Sequence, residues 1–270
     1  MSDVAQAAVP VRLRSALVLA IASAIGLLML GWPLVLEAGS DRVDPPFLFL
    51  GLLPVILAVV LAELSEGGMD ARVLAILGVL SAINAVLRGV SAGTSGIELV
   101  FFLLILGGRV FGVGFGFVLG CTSLFASALL TAGVGPWLPF QMLVAGWVGL
   151  GAGLLPRRVR GRSEIAMLAA YGVLSAYLYG LLMNLWGWPF LLGVEVPGQD
   201  ATQLSYVAGA PLLENLHRFV LYTLLTSTGG WDTGRAITNA LAIALLGPAV
   251  LTTLRRAARR ARVLQVSQGM

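Results

Sequence analysis

Eight apolar segments, separated by short polar connections, follow one another along the chain of 270 residues. They cover residues 15–36, 46–62, 73–87, 94–106, 110–130, 138–155, 165–186 and 233–254. A helix that crosses a bilayer needs about 20 mostly apolar residues, and most of the segments come close to that length. The pattern therefore predicts an all-α, polytopic membrane helical bundle. The fourth segment would be a helix of roughly 20 Å, so it could be broken or only partly inserted.

The composition supports this class and excludes others. Hydrophobic residues make up 58% of the chain and charged residues 11%, and the mean hydropathy is +0.94, whereas soluble proteins carry roughly 25% charged residues. The single cysteine, Cys121, lies in an apolar segment, which argues against disulfides and thiolate metal sites. Because the chain has no lysine, it cannot hold a Walker ATP-binding motif. We therefore expect no cofactor, no metal and no catalytic residue in this chain, and any ATP must be used by partner subunits.

All seventeen basic residues are arginines, and their positions predict the orientation in the membrane. If all eight segments cross and the N-terminus is cytoplasmic, only Arg42, Arg88, Arg218 and Arg235 face outwards. The positive-inside rule then favours both termini in the cytoplasm and a location in the cytoplasmic membrane. The basic clusters thus orient helices and contact lipid, and they do not suggest a nucleic-acid partner. The outer connections would be 37–44, 88–93, 131–137 and the long loop 187–232.

Small residues recur at helical spacing on several segments. Two sets on neighbouring segments predict close helix packing: Gly112, Gly116 and Gly120, and Ala145, Gly149 and Gly153. Two further sets could pack internally, which is the default reading, or could dock a partner protein: Ala16, Ala20 and Ala24, and Gly78 and Ala82.

Several stretches together resemble a known family. They are residues 73–88, the run Gly96-Ile-Glu-Leu-Val-Phe-Phe-Leu-Leu-Ile-Leu-Gly-Gly-Arg109, the glycine-containing helix after it, and Gly135-Pro-Trp-Leu-Pro-Phe-Gln-Met142. The chain resembles, over roughly residues 73–256, the substrate-binding S component of energy-coupling factor (ECF) transporters. It is most similar to the branch that includes cobalamin S components.

The resemblance implies a six-helix core that binds a vitamin from outside. It also implies docking of that core on a transmembrane coupling protein that carries two cytosolic ATPases. In that family small-residue helix faces contact the coupling protein. Gly78 and Ala82 lie in the matching helix but depart from the family's alanine pair, which leaves Ala16, Ala20 and Ala24 as the competing face. The chain would then divide into an N-terminal tail (1–14), two additional membrane helices (15–71), the core (72–256) and a basic tail (257–270).

Candidate ligand-binding residues cluster near the predicted outer connections. Trp137 lies between Pro136 and Pro139 at the start of a helix and could stack on a planar ligand, or it could be an interfacial anchor. Gln141 could bind ligand or hydrogen-bond another helix. The full set is Arg88, Trp137, Phe140, Gln141, Asn184, Trp186, Trp188, His217 and Trp231.

Three other charged residues receive structural interpretations. Glu98 and Arg109 are candidates for a functional role because they are charges beside apolar segments, but both lie near the ends of the short fourth segment, where snorkelling to the interface is the favoured explanation. Asp232 is well placed as the N-cap of the last helix.

Two other function classes remain as alternatives. One is a stand-alone secondary transporter or channel, although the chain shows no clear internal repeat and helices five to seven are nearly free of charge. The other is a rhomboid-like intramembrane serine protease that would use Ser95, in the sequence Gly-Thr-Ser-Gly, and the single histidine, His217.

Overall fold

The computed structural model describes residues 12–35, 45–65, 69–91, 96–190, 201–207 and 210–268. In this part of the chain every regular element is a helix. The elements are α1 (Leu13–Leu30), α2 (Trp32–Val35), α3 (Pro45–Ser65), α4 (Ala71–Ser91), α5 (Val100–Phe111), α6 (Val113–Leu130), α7 (Leu138–Leu154), α8 (Arg162–Gly187), a 3₁₀ turn (Trp188–Phe190), α9 (Ala201–Leu204), α10 (Leu212–Thr223), π-helical turns (Leu224–Asp232) and α11 (Thr233–Gln268).

The predicted all-α membrane bundle is confirmed. Among the described residues, five helical spans are long and apolar enough to cross a bilayer, and three shorter apolar helices accompany them. The doubtful fourth segment forms α5, whose twelve residues are all buried. At 1.5 Å per residue α5 is about 18 Å long, so it is shorter than the hydrocarbon core and is enclosed by the other helices.

The connection 187–232 differs from the predicted loop. Residues Leu212–Thr223 form α10, and the π-helical turns Leu224–Asp232 join it to α11 without a break. One face of α10, with Asn215, Phe219 and Tyr222, is buried, and burial of such a face stabilises a helix in a segment whose polar composition predicts a loop.

A one-residue turn at Gly112 separates α5 from α6. Gly112 has φ of 112°, a conformation that side chains rarely adopt, and the two helices pack against each other after it. The predicted close packing of small residues is present here. A Cβ on Gly116 would meet the backbone oxygen of Gly149, and one on Gly120 would meet that of Ala145. These helices are therefore held at backbone contact, which fixes the centre of the bundle.

The N-terminal helices pack on this core. In α1, the Ser23 hydroxyl accepts a 2.8 Å hydrogen bond from the indole nitrogen of Trp147 in α7. Gly26 lies against the side chain of Leu143. Trp32, in α2, packs its ring 5.5 Å from that of Phe190. The first helices are thus attached to α7 and to the end of α8.

The two further small-residue faces do not pack internally, contrary to the default interpretation. Ala16, Ala20 and Ala24 are exposed on α1, and Gly78 and Ala82 are exposed on α4. No atom lies within 4 Å of a Cβ built on Gly78. Both faces are open to lipid or to a partner.

Candidate functional site

A cavity of about 280 Å³ lies between the C-terminal end of α4, the segment before α5, the start of α7 and the first turns of α11. Its lining combines charged, amide and aromatic side chains with two glycines. The lining residues are Arg88, Gly96, Ile97, Glu98, Thr131, Gly133, Trp137, Gln141, Tyr179, Trp231 and Arg235. A concave site with a few polar groups among apolar walls is the usual form of a small-molecule site.

Glu98 lies between two arginines in the wall of this cavity. One of its carboxylate oxygens accepts a 2.7 Å hydrogen bond from Nε of Arg235, and the other lies 3.6 Å from Nε of Arg88. Nη1 of Arg235 also contacts Asp232 at 3.2 Å. The guanidinium group of Arg235 stacks 4.9 Å from the centre of the Tyr179 ring. The two positive charges of the arginines are therefore balanced by the two negative charges of Glu98 and Asp232. Charged groups inside a membrane bundle are usually paired in this way.

A glycine and an asparagine hold the segment of Glu98 in position. Gly96 has φ of 82°, and a Cβ there would lie 2.6 Å from the carbonyl oxygen of Trp231, so only glycine lets the two backbones approach this closely. The Asn239 amide donates 2.7 Å and 2.8 Å hydrogen bonds to the carbonyl oxygens of Glu98 and Arg235. The segment before α5 is therefore fixed to α11.

The prediction that Asp232 caps the last helix is wrong. The residue lies inside a continuous helix, where no N-terminus needs a cap. Its carboxylate accepts hydrogen bonds from the Ser227 hydroxyl at 2.8 Å and from Arg235. Gly180 of α8 leaves the space that this carboxylate occupies. The π-helical turns that hold Trp231 and Asp232 are a form often found at functional sites.

Arg88 connects α4 to the other side of the cavity. It donates to the Ser127 hydroxyl at 2.9 Å and to the side-chain oxygen of Gln141 at 3.1 Å. Trp137 and Trp231, with 44% and 45% of their surfaces exposed, border the cavity. The site thus offers flat aromatic surfaces, an amide and a guanidinium group to a bound molecule.

The structure brings together four of the nine predicted ligand-binding residues. Arg88, Trp137, Gln141 and Trp231 line the cavity. The other five do not line it: Phe140, Asn184, Trp186, Trp188 and His217.

The structure gives most of these five residues other surroundings. Phe140 and Trp186 pack together with ring centres 4.5 Å apart in the apolar core. Trp188 is buried and donates to the carbonyl oxygen of Leu204. Clusters of rings near a helix end serve packing as often as binding, and sequence spacing alone does not separate the two uses.

Sequence reasoning missed Tyr179 and Arg235 in the cavity and assigned Glu98 to snorkelling. Nothing in the sequence marks Tyr179 as a residue of the cavity, because tyrosines are common in membrane helices. A usable signal exists for the charged pair, since an acid and an arginine bordering apolar segments can neutralise each other. Their separation of 137 residues along the chain hides this pairing.

A second charged cluster lies at the opposite end of the bundle. Glu164 and Tyr179 are 15 residues apart on α8, and Arg235 and Arg255 are 20 apart on α11, which separates the two clusters by about 22–30 Å. Here Glu164 accepts hydrogen bonds from Arg109 at 2.7 Å and from Arg255 at 2.7 Å and 2.8 Å.

The prediction that Arg109 snorkels to the interface is wrong. The residue is only 4% exposed. Besides its bond to Glu164, it donates to three carbonyl oxygens of the connection between α7 and α8. Arg109 therefore fixes this connection to the end of α5.

The described residues give no support to the protease alternative. His217 is exposed on α10 and does not line the cavity. Ser95 lies outside the described residues. Within the described ranges, no group of three or more histidine, cysteine, aspartate or glutamate residues could hold a metal ion.

Comparison with known proteins identifies the family. The model of the family described as "ECF transporter, substrate-specific component" matches residues 72–258. Neither the curated proteins nor the solved structures give a match. The match begins at the start of α4 and ends in α11, so it contains every residue that lines the cavity. The chain belongs to the family of substrate-specific components of ECF transporters.

Proposed function

We propose that this subunit binds a vitamin or related micronutrient in the cavity between Arg88 and Arg235 and delivers it for ATP-driven uptake. The observation that carries the proposal is the convergence of Arg88, Trp137, Gln141 and Trp231 on one cavity inside the family-matched region. The ligand is captured from outside and enclosed by the outer connections. The subunit then reorients on the coupling protein, driven by two partner ATPases.

The cavity supports recognition of a compact ligand with a planar part. Trp137 and Trp231 offer ring faces for stacking. The side-chain oxygen of Gln141 is already bonded to Arg88, and its amide nitrogen has no hydrogen-bond partner among the described residues, so that nitrogen can donate to a ligand. Because the charges around Glu98 are balanced, selectivity rests on hydrogen bonds and shape more than on net charge.

The volume of the cavity bears on the kind of vitamin. Typical small-molecule sites have volumes of about 300–1,000 Å³, so a cavity of about 280 Å³ suits a ligand at the small end of this range. The resemblance to the cobalamin branch implies a corrinoid ligand. A corrinoid is several times larger than this cavity, so we favour a smaller vitamin.

Substitutions in the lining test the proposed site. Trp137→Ala and Gln141→Ala are each expected to weaken binding of the molecule that the wild-type protein carries by about tenfold or more, the loss expected when a buried contact of 1.4 kcal/mol is removed. Gln203→Ala is the matched control, because Gln203 is exposed on α9 and does not line the cavity. Unchanged affinity in both lining variants would rule out this cavity as the site.

We further propose that α4 provides the face that docks on the coupling protein. Gly78 and Ala82 are exposed, lie within the family-matched region and are flanked by the exposed apolar side chains of Val79 and Ile83. Small residues let two helices approach closely in lipid. The competing face of α1 lies outside the matched region.

Bulky substitutions separate the two faces. Gly78→Leu with Ala82→Leu is expected to abolish co-purification with the coupling protein and its ATPases. Ala20→Leu with Ala24→Leu, which alters the exposed face of α1, is the matched control. The opposite result would assign docking to α1.

The positions of the arginines support an orientation with the cavity outside and both termini in the cytoplasm of a plasma-membrane protein. The end opposite the cavity carries the exposed residues Arg158, Arg160, Arg256 and Arg259. Impermeant labelling of single cysteines at these positions and at position 137 in intact cells tests it, because only position 137 should react from outside.

A further inference from the structure

Polar side chains form successive levels along the contact between α4 and α6. At the level of the cavity, Arg88 donates to Ser127 at 2.9 Å. Seven residues earlier on α4, the Ser81 hydroxyl lies 2.7 Å from that of Thr122. These two pairs are hydrogen-bonded, and they bound a middle level that contains Asn84.

The middle level contains two side chains that lack hydrogen-bond partners. Asn84 precedes Arg88 by four residues on α4, and Ser123 precedes Ser127 by four residues on α6. Residues four apart share a helix face, and both helices run towards the cavity, so Asn84 lies a turn beneath Arg88 and Ser123 lies a turn beneath Ser127.

Both side chains of the middle level are buried. Asn84 is 0% exposed and Ser123 is 1% exposed. Neither the nitrogen nor the oxygen of the Asn84 amide has a hydrogen-bond partner, and the Ser123 hydroxyl also has none. Three polar atoms are thus left unsatisfied one helical turn from Arg88, which lines the cavity, and from Ser127, which Arg88 contacts.

Unsatisfied polar atoms are costly inside a membrane bundle, because lipid cannot replace the missing hydrogen bonds. An apolar residue at position 84 would avoid that cost. The amide is therefore explained best by a hydrogen-bonding partner that comes from the adjacent cavity. A carboxamide presents one acceptor and one donor side by side, and it matches a ligand edge that carries a donor next to an acceptor.

We propose that Asn84 and Ser123 form an inner subsite of the cavity that hydrogen-bonds a donor–acceptor edge of the ligand, such as that of a lactam, a cyclic urea, an imide or an aminopyrimidine. The inference rests on the proposed function, because it extends the same cavity by one helical turn. Arg88 lies between this subsite and the open cavity, so its side chain moves aside when the ligand enters. Asn84 then selects ligands by hydrogen bonding.

Cysteine accessibility tests whether the subsite can be reached from the cavity. Asn84→Cys is made in full-length protein that carries Cys121→Ala, so that it holds one thiol. Leu80→Cys, at a buried position one turn further in, is the matched control. The impermeant reagent methanethiosulfonate ethylsulfonate is expected to modify the thiol at position 84 at least about tenfold faster than the thiol at position 80. This ratio corresponds to a difference of about 1.4 kcal/mol in the free energy needed to expose the two thiols to the reagent. Equal rates would overturn the proposal.

Binding tests the chemistry of the subsite. The probe is a mixture of thiamine, riboflavin, nicotinate, pantothenate, pyridoxine, biotin, folate and cobalamin, and bound molecules are identified by native mass spectrometry. The wild-type protein is expected to retain a vitamin with a donor–acceptor edge, and Asn84→Leu is expected to bind it about tenfold more weakly, the effect of losing one hydrogen-bonded pair. Retention of a vitamin without such an edge, or equal binding by the variant, would overturn the inference.

The outcomes separate the inference from the proposed function. If Gln141→Ala loses binding and Asn84→Leu does not, the cavity is the ligand site and the inner subsite is wrong. If the wild-type protein retains none of the probes, the proposed vitamin function fails, while the labelling rates still decide whether the subsite is reached. Asn84→Leu is expected to melt at the same temperature as wild type or higher, because it removes unsatisfied atoms. Should it fail to fold, Ser123→Ala provides the same binding test.

Discussion

Replacement of Arg109 by methionine is expected to destabilise the bundle by about 3 kcal/mol. The guanidinium group donates to Glu164 at 2.7 Å and to the carbonyl oxygens of Leu155, Pro156 and Val159 at 2.9, 3.2 and 3.0 Å. Methionine matches the aliphatic stem of arginine and has no donor, so the variant loses these four contacts while it keeps the packing of the stem.

The size of this loss follows from the surroundings of the pair. Removing one partner of a buried ion pair costs about 3–5 kcal/mol. Nη2 of Arg255 still contacts both oxygens of Glu164 at 2.7 Å and 2.8 Å, so the carboxylate keeps a cation. The carbonyl contacts are only partly buried, and water can replace some of them. The expected loss therefore lies at the low end of the range, at about 3 kcal/mol.

Equilibrium unfolding in mixed micelles of dodecyl sulfate and dodecyl maltoside measures the difference. Arg158→Met is the matched control, because Arg158 is exposed in the same connection. It should leave the free energy of unfolding unchanged. A loss below about 1 kcal/mol for Arg109→Met, the size of an exposed pair, would refute the reasoning.

Four further substitutions test the packing of the bundle. Gly149→Ala should cost about 1–3 kcal/mol or more, because its Cβ meets the backbone of α6, and the yield of folded protein in size-exclusion chromatography reports it. Trp147→Phe and Ser23→Ala should each cost about 0.6 kcal/mol in mixed-micelle unfolding, with no further loss in the double variant. Gly180→Ala should lower both the melting temperature and the retention of bound ligand, since its Cβ displaces the Asp232 carboxylate, which holds the cavity-lining Arg235.

The helices and their packing are largely predictable from this sequence. Apolar length marks each membrane segment because lipid forces the backbone to satisfy its own hydrogen bonds. The spacing of Gly116, Gly120, Ala145 and Gly149 predicts the contact of α6 with α7, since only small residues allow that approach. These signals are local, so one stretch of sequence contains each of them.

The charged parts of the site are less predictable because they depend on partners far apart in the chain. Glu98 bonds Arg235 across 137 residues, and Arg109 bonds Glu164 across 55. Near a segment end, an isolated charge can snorkel or can be buried in a pair, and the sequence does not distinguish these states. The predicted loop 187–232 also differs, because residues 212–232 are helical and continue into α11.

The central claim is that the cavity at Arg88, Trp137 and Gln141 holds the transported molecule while the subunit belongs to an ECF complex. Native mass spectrometry of protein gently purified from its own membranes tests it most directly, scoring bound small molecules and co-purifying subunits together. We expect a bound vitamin and the coupling protein with its ATPases in the wild-type sample. Gln141→Ala should lose the vitamin and keep the partners. A wild-type sample with neither, or a variant that retains the vitamin fully, would contradict the account.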